Sequence, residues 1–376
     1  MPEVIDWRNV KDPREVTQRA LRSLTEGKLV AFPTETVYGL AASLDNPAAI
    51  ELLCQSKERT ESKPLTVAIP NAGSALQWLP DLGTVGRRVA RRCWPGPLTL
   101  VSSAGIDHGR LNQLPESVRQ RLAPRGTIGL RVPAHAAILG VLQEMPLVLT
   151  SANVSGQPAA TTAEEVVAAS RDMGDAVDLI IDDGQCLFGQ ASTVVEVSDD
   201  QWRILREGVL SEDMIRRQCA CIIVFLCTGN TCRSPMAEAL CKKMLADKLA
   251  CKIGELPERG YIILSAGIAA MPDLAASDEA QELVRGYGAD LSAHLSQPIT
   301  PDLLFQADHL LAMTRSHQQA LHHLGLEPQN LEARTRLLDP EGHDIPDPLG
   351  GDMGLYKQCA DAIDKALQQW LTQPPR

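Results

Sequence analysis

The sequence has few aromatic residues: Phe, Trp and Tyr make up only 3% of its 376 residues. Hydrophobic residues nevertheless account for 44% of the chain, so its cores must be built mainly from Leu, Val, Ile and Ala. A typical domain contains roughly 100–200 residues, so a chain of this length is predicted to form two domains.

The chain also lacks an excess of positive charge. Its formal net charge is -11, because 36 Lys and Arg residues stand against 47 Asp and Glu residues. Nucleic acids are bound mainly by clusters of Lys and Arg, so an acidic chain is a poor general partner for them. We therefore expect no direct nucleic-acid binding, although local basic pockets for a phosphate group are compatible with this charge.

The sequence contains no secretory signal, no transmembrane run, no repeat and no cysteine pair in the C-x-x-C pattern. Ten cysteines at irregular spacing are typical of reduced thiols in a cytoplasmic protein. We therefore expect a cytoplasmic location, no membrane contact and no metal site.

Both halves of the chain alternate strand-like and helix-like segments, which predicts an α/β fold. In the first half, short aliphatic runs predict strands at Leu29–Phe32, Leu65–Ile69, Leu98–Ser102, Ile128–Val132, Leu147–Thr150, Leu179–Ile181 and Thr193–Val197. Helices are predicted at Asp12–Glu26, Pro47–Ser56 and Thr162–Ser170, the first with an Asp-Pro start and the second following Asn46. We expect this first domain, residues 1–209, to contain a mixed twisted sheet.

The composition changes near residue 207, so we place a linker at 210–220 and a second domain at 221–376. Strands are predicted there at Ile222–Leu226, Tyr261–Ser265, His309–Met313 and Thr335–Leu338. Helices are predicted between and after them at Pro235–Ala250, Ser277–Gly286, Ser316–Leu324 and Gly354–Leu371. Four strands alternating with helices predict a flavodoxin-like, doubly wound parallel sheet.

The first strand of the second domain leads directly into a short polar loop and then a helix. The loop and its flanks consist of Cys227, Thr228, Gly229, Asn230, Thr231, Cys232, Arg233, Ser234 and Pro235. The backbone N–H groups of such a loop, with the dipole of the following helix, form a cradle for an anion. This field favours the nucleophilic thiolate of Cys227, and the planar guanidinium of Arg233 fits two phosphate oxygens at once.

Two further residues would complete a phosphatase reaction. Ser234 can hydrogen-bond the Cys227 sulfur, and Asp347, in a Pro- and Gly-rich loop, is the best candidate for the general acid. Cys232 either lines the loop or forms a protective disulfide with Cys227 under oxidation. The alternative to the whole motif is a chance C-x5-R match around a buried structural cysteine.

On these residues, the segment 221–376 resembles the low-molecular-weight protein phosphatase family over nearly its whole length. Thr228 and Thr231 resemble the protein-arginine-phosphatase (YwlE-like) branch, since tyrosine phosphatases of the family usually have a bulky aliphatic residue in place of Thr231. The resemblance implies a phosphocysteine intermediate and protein phosphoarginine as a candidate substrate. That branch usually has an aromatic residue after Asp-Pro, where this sequence has Leu349.

The first half has no comparable nucleophile, but polar clusters follow its predicted strands. Lys57, Arg59 and Lys63 form a cationic group beside a Thr-rich strand end, which indicates polyphosphate binding. Neither a Walker loop nor a G-x-G-x-x-G motif is present, which excludes the common nucleotide folds. The alternatives are a solvated helix end for the cations, ordinary strand positions for Thr34 and Thr36, and turn positions for Ser151 and Asn153.

In their order and spacing, the clusters within residues 13–209 resemble the YrdC-type threonylcarbamoyl-AMP synthase family. They lie at Phe32–Leu40, Lys57–Arg59, Lys63–Leu65, Trp94–Thr99, Thr127–Pro133, Thr150–Gly156, Ser192–Val195 and Arg206–Gly208. The family's reaction converts L-threonine, bicarbonate and ATP into threonylcarbamoyl-AMP and pyrophosphate. A separate transferase then uses the product to modify adenosine beside the tRNA anticodon.

The same resemblance implies the site residues of the first domain. Threonine would be bound by Thr34, Thr36, Arg131 and Ser192, and ATP by Lys57, Arg59, Lys63, Thr127, Ser151, Asn153, Thr161 and Arg206. ATP with Mg²⁺ would be a substrate, no cofactor would be permanently bound, and tRNA would not be bound directly. Two positions depart from the family pattern: Ala68 is often histidine and Ala191 is usually glutamate.

Joining two domains in one chain raises their effective concentration and favours a functional link between them. One hypothesis is that the phosphatase domain hydrolyses the adenylate made by the first domain. Others are that it acts on phosphoarginine or phosphotyrosine in a protein, or that one domain is a silent module that binds a nucleotide or phosphate.

Overall fold

The computed structural model describes residues 1–57, 64–173, 176–323 and 331–372, and the side chain of His322 lies outside this description. The chain divides into two compact units, Met1–Gln218 and Cys219–Arg376. Within the described residues, no helix is long and apolar enough to cross a membrane.

The first unit is built on a ten-stranded mixed sheet, which confirms the predicted α/β class. The strands are β1 Glu3–Asp6, β2 Leu29–Phe32, β3 Gly39–Ser43, β4 Thr66–Ala68, β5 Leu98–Ser102, β6 Ile128–Arg131, β7 Leu147–Ser151, β8 Val177–Asp182, β9 Thr193–Ser198 and β10 Gln201–Arg206. Their order in the sheet is β1-β8-β2-β3-β7-β4-β6-β5-β9-β10. Parallel pairs such as β4–β6 and antiparallel pairs such as β3–β7 both occur.

Helices connect the strands of this sheet, and several of them begin at a capping side chain. They are α1 Pro13–Thr25, α2 Pro47–Ser56, α3 Ala75–Trp78, α4 Thr84–Cys93, α5 Glu116–Leu122, α6 Ala136–Leu142 and α7 Ala163–Asp172, followed by α8 Glu212–Cys219. The Asp12 side chain accepts from the backbone N–H of Arg14, and Asn46 accepts from that of Ala49. The predicted Asp-Pro and Asn-Pro starts are therefore confirmed.

Three strands of this sheet were not predicted. β3 has five buried residues, but Gly, Ala and Ser occupy four of its positions, so neither alternation nor β-branching marks it as a strand. β10 pairs only with β9 and has mostly exposed residues. β1 is a short exposed strand that pairs with β8.

The second unit contains a four-stranded, all-parallel sheet, as predicted. Its strands are β11 Cys221–Cys227, β12 Tyr261–Gly267, β13 His309–Ala312 and β14 Thr335–Leu337, in the order β12-β11-β13-β14. Its helices are α9 Arg233–Lys248, α10 Asp278–Gly286, α11 Pro301–Gln306, α12 Arg315–His323, α13 Leu331–Arg334 and α14 Met353–Trp370. All seven residues of β11 are buried, as expected of a central parallel strand.

One boundary differs from the prediction in a way that matters for the site. Helix α9 begins at Arg233 and not at Pro235, because proline is tolerated within the first helical turn. Arg233 and Ser234 therefore stand on the first turn of the helix, where the backbone fixes the direction of their side chains.

Candidate active sites

A cavity of about 400 Å³ opens over the centre of the first unit's sheet. The adjacent strands β3, β7, β4, β6 and β5 all contribute residues to its wall. Of the predicted site residues, those that line it are Thr34, Thr127, Arg131, Ser151, Asn153, Ser192 and Arg206. These residues come from five separate segments of the chain, so the sheet brings together side chains that are far apart in the sequence.

Arg131 at the end of β6 is held by a buried carboxylate. Its Nη2 atom donates to Glu35 Oε1 at 2.7 Å and to Thr36 Oγ1 at 2.6 Å. The other Glu35 oxygen, Oε2, accepts from the backbone N–H of Ala134 at 2.7 Å. Thr34 completes the group through a hydroxyl contact of 2.9 Å with Thr36. Thr36 thus reaches the site through Arg131 and is not itself part of the cavity wall.

Glu35 was not predicted as a site residue. The only signal was its place between two threonines at a strand end, and its partner Arg131 is 96 residues away. Both side chains are less than 10% exposed. An ion pair buried to this degree holds both partners in one geometry, because separating the charges inside the protein is costly.

The cavity carries more positive charge than its own carboxylate balances. Arg131 Nε is buried and has no hydrogen-bond partner among the residues that the structure describes. Arg206 Nη2 donates to the backbone oxygen of Ser192 at 2.7 Å and to Ser192 Oγ at 3.2 Å, but forms no ion pair within the described part of the chain. Burial, followed by the charge of Arg131, lowers the pKa of the Arg206 guanidinium. An anionic ligand would offset this charge.

Lys57 lies next to the cavity but faces protein oxygens. Its Nζ atom donates to the backbone oxygen of Ser151 at 2.7 Å and to Asn153 Oδ1 at 3.0 Å, and also contacts the backbone oxygen of Asn153. The side chain is buried, so the alternative of a solvated helix end is wrong for this residue. Lys57 instead anchors the loop that follows β7.

Three other ATP-binding residues were predicted from the resemblance. Arg59 and Lys63 fall outside the described residues. Thr161 does not line the cavity; its hydroxyl donates to Glu165 Oε2 at 3.1 Å, beside the start of α7. Ala68, at the position where the family often has histidine, is fully buried and packs among the core side chains of Phe32 and Leu149.

In the second unit, the residues after β11 form a tight loop whose carbonyl groups point away from its centre. The backbone oxygens of Cys227, Thr228 and Thr231 accept from the N–H groups of Ile268, Ala269 and Ser277, at 2.9, 3.0 and 3.0 Å respectively. Asn230 has a left-handed backbone, with φ of 57°. With the carbonyls turned outward, the N–H groups of the loop can face a bound anion.

The Cys227 sulfur accepts two hydrogen bonds inside this loop. Its Sγ atom lies 3.0 Å from Ser234 Oγ and 3.2 Å from the backbone nitrogen of Asn230. The Asn230 side-chain amide donates to Ser234 Oγ at 2.9 Å and to Ser265 Oγ at 2.8 Å. Because Ser234 already accepts from Asn230, its own hydroxyl hydrogen is free to donate to the sulfur. This arrangement stabilises a negative charge on Cys227.

Arg233 and Asp347 meet across this loop although 114 residues separate them. Arg233 Nη2 donates to Asp347 Oδ2 at 2.5 Å, and the backbone N–H of Leu349 donates to Asp347 Oδ1 at 3.2 Å. Arg233 is buried, whereas the Asp347 side chain is 48% exposed. The carboxylate therefore lies between the anion cradle and solvent, where a general acid is needed.

Two neighbours of the loop were not predicted. His317 Nε2 lies 2.9 Å from Thr228 Oγ1, and Tyr356 Oη lies 3.3 Å from the sulfur of Cys232. Burial, followed by the charge of Arg233, lowers the pKa of His317 to about 4. Burial and the contact with Cys232 raise the pKa of Tyr356 to about 12. Cys227 and Cys232 are both free thiols here, and the disulfide between them stays a prediction.

The loop, its thiol and its arginine define a cysteine-dependent phosphatase fold in the second unit, and the first unit has a ligand cavity on a mixed sheet. Residues 22–208 match the family model described as telomere recombination, Sua5/YciO/YrdC. Residues 222–374 match the model for low-molecular-weight phosphotyrosine protein phosphatases. The chain therefore belongs to the Sua5/YciO/YrdC family through its first unit, and its second unit is similar to the low-molecular-weight phosphatases.

Among curated proteins, the chain is similar to the threonylcarbamoyl-AMP synthase of Pyrococcus abyssi, with 35% identity over 199 residues, covering 52% of this chain and 54% of that protein. It is also similar to the mouse threonylcarbamoyl-AMP synthase, with 32% identity over 53% of this chain and 69% of that protein. The chain thus spans about half the length of the Pyrococcus protein.

Among solved structures, a variant of Pyrococcus abyssi Sua5 matches 90% of this chain and 98% of its own, with a TM-score of 0.51 and 22% identity. This likeness shows the fold. A mutant of YwlE from Bacillus subtilis matches 41% of this chain and 98% of its own, with 33% identity and a TM-score of 0.36.

Proposed function

We propose that the first unit makes threonylcarbamoyl-AMP and pyrophosphate from L-threonine, bicarbonate and ATP. The product would supply the threonylcarbamoyl modification of tRNA through a separate transferase. The family match and the names of the curated relatives support this activity. The observation that carries it on this chain is a cavity lined by two arginines, Arg131 and Arg206, where Arg206 forms no ion pair and Arg131 Nε has no hydrogen-bond partner among the described residues.

In this proposal, Arg131 binds the threonine carboxylate. Its Nη2 donates to Glu35 and Thr36, so the threonine carboxylate would pair with the remaining part of the guanidinium. Thr34, Thr36 and Ser192 would complete the threonine site. The nucleotide would be bound by Thr127, Ser151, Asn153 and Arg206, with its phosphates at Arg59 and Lys63, while Lys57 would hold the loop after β7 in place. Mg²⁺ would enter with ATP and offset the phosphate charge.

The test is the formation of an AMP-containing product from ATP, threonine and bicarbonate by the full chain. The variant Arg131→Lys keeps a cation beside Glu35 but removes the planar guanidinium. We expect it to raise the KM for threonine about tenfold, with a smaller effect on the KM for ATP. Arg125→Ala, an exposed arginine that does not line the cavity, is the matched control. An unchanged threonine KM in Arg131→Lys would rule out this role.

We propose that the second unit is a phosphatase with Cys227 as its nucleophile. The thiolate attacks phosphorus, the bond from phosphorus to the leaving group breaks, and Asp347 gives that group its proton. Water, deprotonated by Asp347, then attacks the phosphocysteine and releases phosphate and the thiolate. Arg233 would bind two phosphoryl oxygens, and Ser234 would stabilise the departing sulfur. The observation that carries this proposal is the pair of contacts from Ser234 to Cys227 and from Arg233 to Asp347.

Phosphoarginine in proteins is the proposed substrate, because Thr228 and Thr231 stand in the loop where tyrosine phosphatases usually have a bulkier residue at the second position. The measurement is phosphate release by the full chain from phosphoarginine, phosphotyrosine and threonylcarbamoyl-AMP, with Cys227→Ser as the blank. Turnover of phosphoarginine alone supports the proposal. Turnover of the adenylate alone would instead indicate that the second unit limits the product of the first.

A further inference from the structure

A histidine that neither proposed mechanism uses links the phosphate loop to the next strand–helix connection. His317, on the first turn of α12, is 6% exposed. Its Nε2 atom lies 2.9 Å from Thr228 Oγ1, and its Nδ1 atom lies 2.8 Å from Thr314 Oγ1. Thr228 directly follows the nucleophile and is exposed at the mouth of the loop. The imidazole thus lies between the hydroxyl of Thr228, at the mouth of the loop, and the hydroxyl of Thr314.

The same connection also holds the loop that carries the general acid. The backbone oxygen of Met313 accepts from the N–H of Ile345 at 2.8 Å. The N–H of Arg315 donates to Asp344 Oδ1 at 2.8 Å. Residues 313–317 therefore contact the phosphate loop through one imidazole and the acid loop through two backbone groups. This connection therefore links the phosphate loop to the loop that carries Asp347.

The charged groups around His317 keep it neutral near pH 7. Arg233 acts from helix α9, and Asp347 and Asp344 act from the acid loop. Burial and Arg233 together outweigh the two carboxylates, so the imidazole carries one proton and offers one donor and one acceptor.

The hydroxyl groups of Thr228, Thr314 and Ser316 surround this imidazole and determine which of its nitrogens donates and which accepts. Thr314 Oγ1 lies 2.8 Å from Ser316 Oγ, to which it can donate. We assign the single proton of His317 to Nδ1, so that this N–H donates to Thr314 Oγ1 and Nε2 accepts the hydroxyl hydrogen of Thr228. In this arrangement the lone pairs of the Thr228 oxygen face the mouth of the loop. These lone pairs can accept a hydrogen bond from a leaving group that carries N–H donors. The oxygen of an aryl phosphate ester has no hydrogen to donate to them.

We propose that His317 is a positioning residue that makes Thr228 a hydrogen-bond acceptor for the leaving group, so that the site favours phosphoguanidines over aryl phosphates. This inference rests on the proposed phosphatase activity and concerns its substrate class. His317 acts through Thr228 and does not touch the reacting phosphorus.

The test compares kcat/KM for phosphoarginine and for para-nitrophenyl phosphate in the full chain. The variants are His317→Asn, whose amide reaches only the Thr314 side, His317→Gln, whose amide reaches the Thr228 side, and Thr228→Val. We expect His317→Asn and Thr228→Val each to lower kcat/KM for phosphoarginine about fivefold, the effect of one neutral hydrogen bond, and His317→Asn to leave the aryl phosphate rate nearly unchanged. The double variant should lose no more than either single one, because both remove the same contact.

Several outcomes would overturn the inference. One is an equal fall for both substrates, which a merely structural role predicts; another is a smaller loss in His317→Asn than in His317→Gln. Wild-type protein that hydrolyses only the aryl phosphate would also overturn it while leaving the phosphatase proposal intact. Wild-type protein inactive on both substrates would contradict the phosphatase proposal itself. The control is His323→Asn, an exposed histidine on the same helix, which should behave as wild type.

Discussion

At the scale of single residues, both sites depend on charged groups that are buried with a partner. Glu35 and Arg131 form such a pair in the first unit, and Arg233 is held by Asp347 in the second. A buried charge that loses its partner destabilises the fold far more than an exposed one. The same residues are therefore expected to affect both stability and activity.

Glu35→Ala would leave the Arg131 guanidinium buried without its carboxylate. We expect it to lower the free energy of unfolding of the first unit by about 3 kcal/mol. Urea unfolding followed by tryptophan fluorescence measures this, since buried Trp78 and Trp94 lie in that unit. Glu116→Ala removes an exposed ion pair with Arg119 and should leave the unfolding curve nearly unchanged. Equal effects of the two variants would contradict the assigned role of Glu35.

His317 makes a second prediction, on the pH dependence of stability. Its pKa is about 4 in the folded protein, against 6.5 for an ordinary histidine. As the pH falls from 6.5 towards 4, the unfolded state takes up a proton that the folded state does not. The stabilisation from neutral His317 is therefore complete above pH 6.5 and is lost as the pH falls.

Replacing His317 should therefore reduce the fall in the free energy of unfolding that wild type shows as the pH is lowered. When the pH falls from 7 to 4.5, we expect the free energy of unfolding of His317→Gln to decrease by about 2 kcal/mol less than that of wild type. Urea unfolding of the second unit, followed by circular dichroism at each pH, is the measurement. Parallel curves for the two proteins would show that His317 is not held neutral by the fold.

At the scale of elements, the phosphate loop depends on the close approach of β12. A Cβ atom on Gly267, the last residue of β12, would lie 2.6 Å from the backbone oxygen of Thr228 and 3.0 Å from the backbone nitrogen of Asn230. Both neighbours are backbone atoms of the loop, so they cannot yield without moving the groups that receive the phosphate.

Gly267→Ala should therefore impair the phosphatase by displacing its loop. We expect at least about a tenfold fall in kcat/KM for phosphate release, with threonylcarbamoyl-AMP synthesis unchanged. Gly286→Ala, at the end of α10 where a Cβ meets no atom within 4 Å, is the matched control. Full phosphatase activity in Gly267→Ala would mean that the loop tolerates a shift of this size.

Sequence patterns predicted these elements where the signal was local. The strand–loop–helix at Cys227 could be predicted because its apolar run, polar loop and proline follow one another in the chain. The strand β3 could not be predicted, because four of its five residues are Gly, Ala or Ser. It is buried by neighbouring elements of the fold, such as β7, which the local sequence does not reveal. Likewise, Glu35 and His317 could not be assigned, because their partners lie 96 and 89 residues away.

At the scale of the whole molecule, the chain combines two α/β units with different sheets and different chemistry. The first gathers polar side chains from strands that are scattered along the sequence around one cavity, whereas the second builds its site mainly from one loop. The central claim is that one polypeptide carries both a threonylcarbamoyl-AMP synthase and a cysteine-dependent phosphatase.

The most direct test measures both activities in the full chain, in wild type and in Cys227→Ser. ATP, threonine and bicarbonate are supplied in one assay and phosphoarginine in another. We predict that both proteins accumulate threonylcarbamoyl-AMP at the same rate and that only the wild type releases phosphate. Accumulation in the variant alone would show that the second unit consumes the adenylate, and failure of both proteins to make it would contradict the assignment of the first unit.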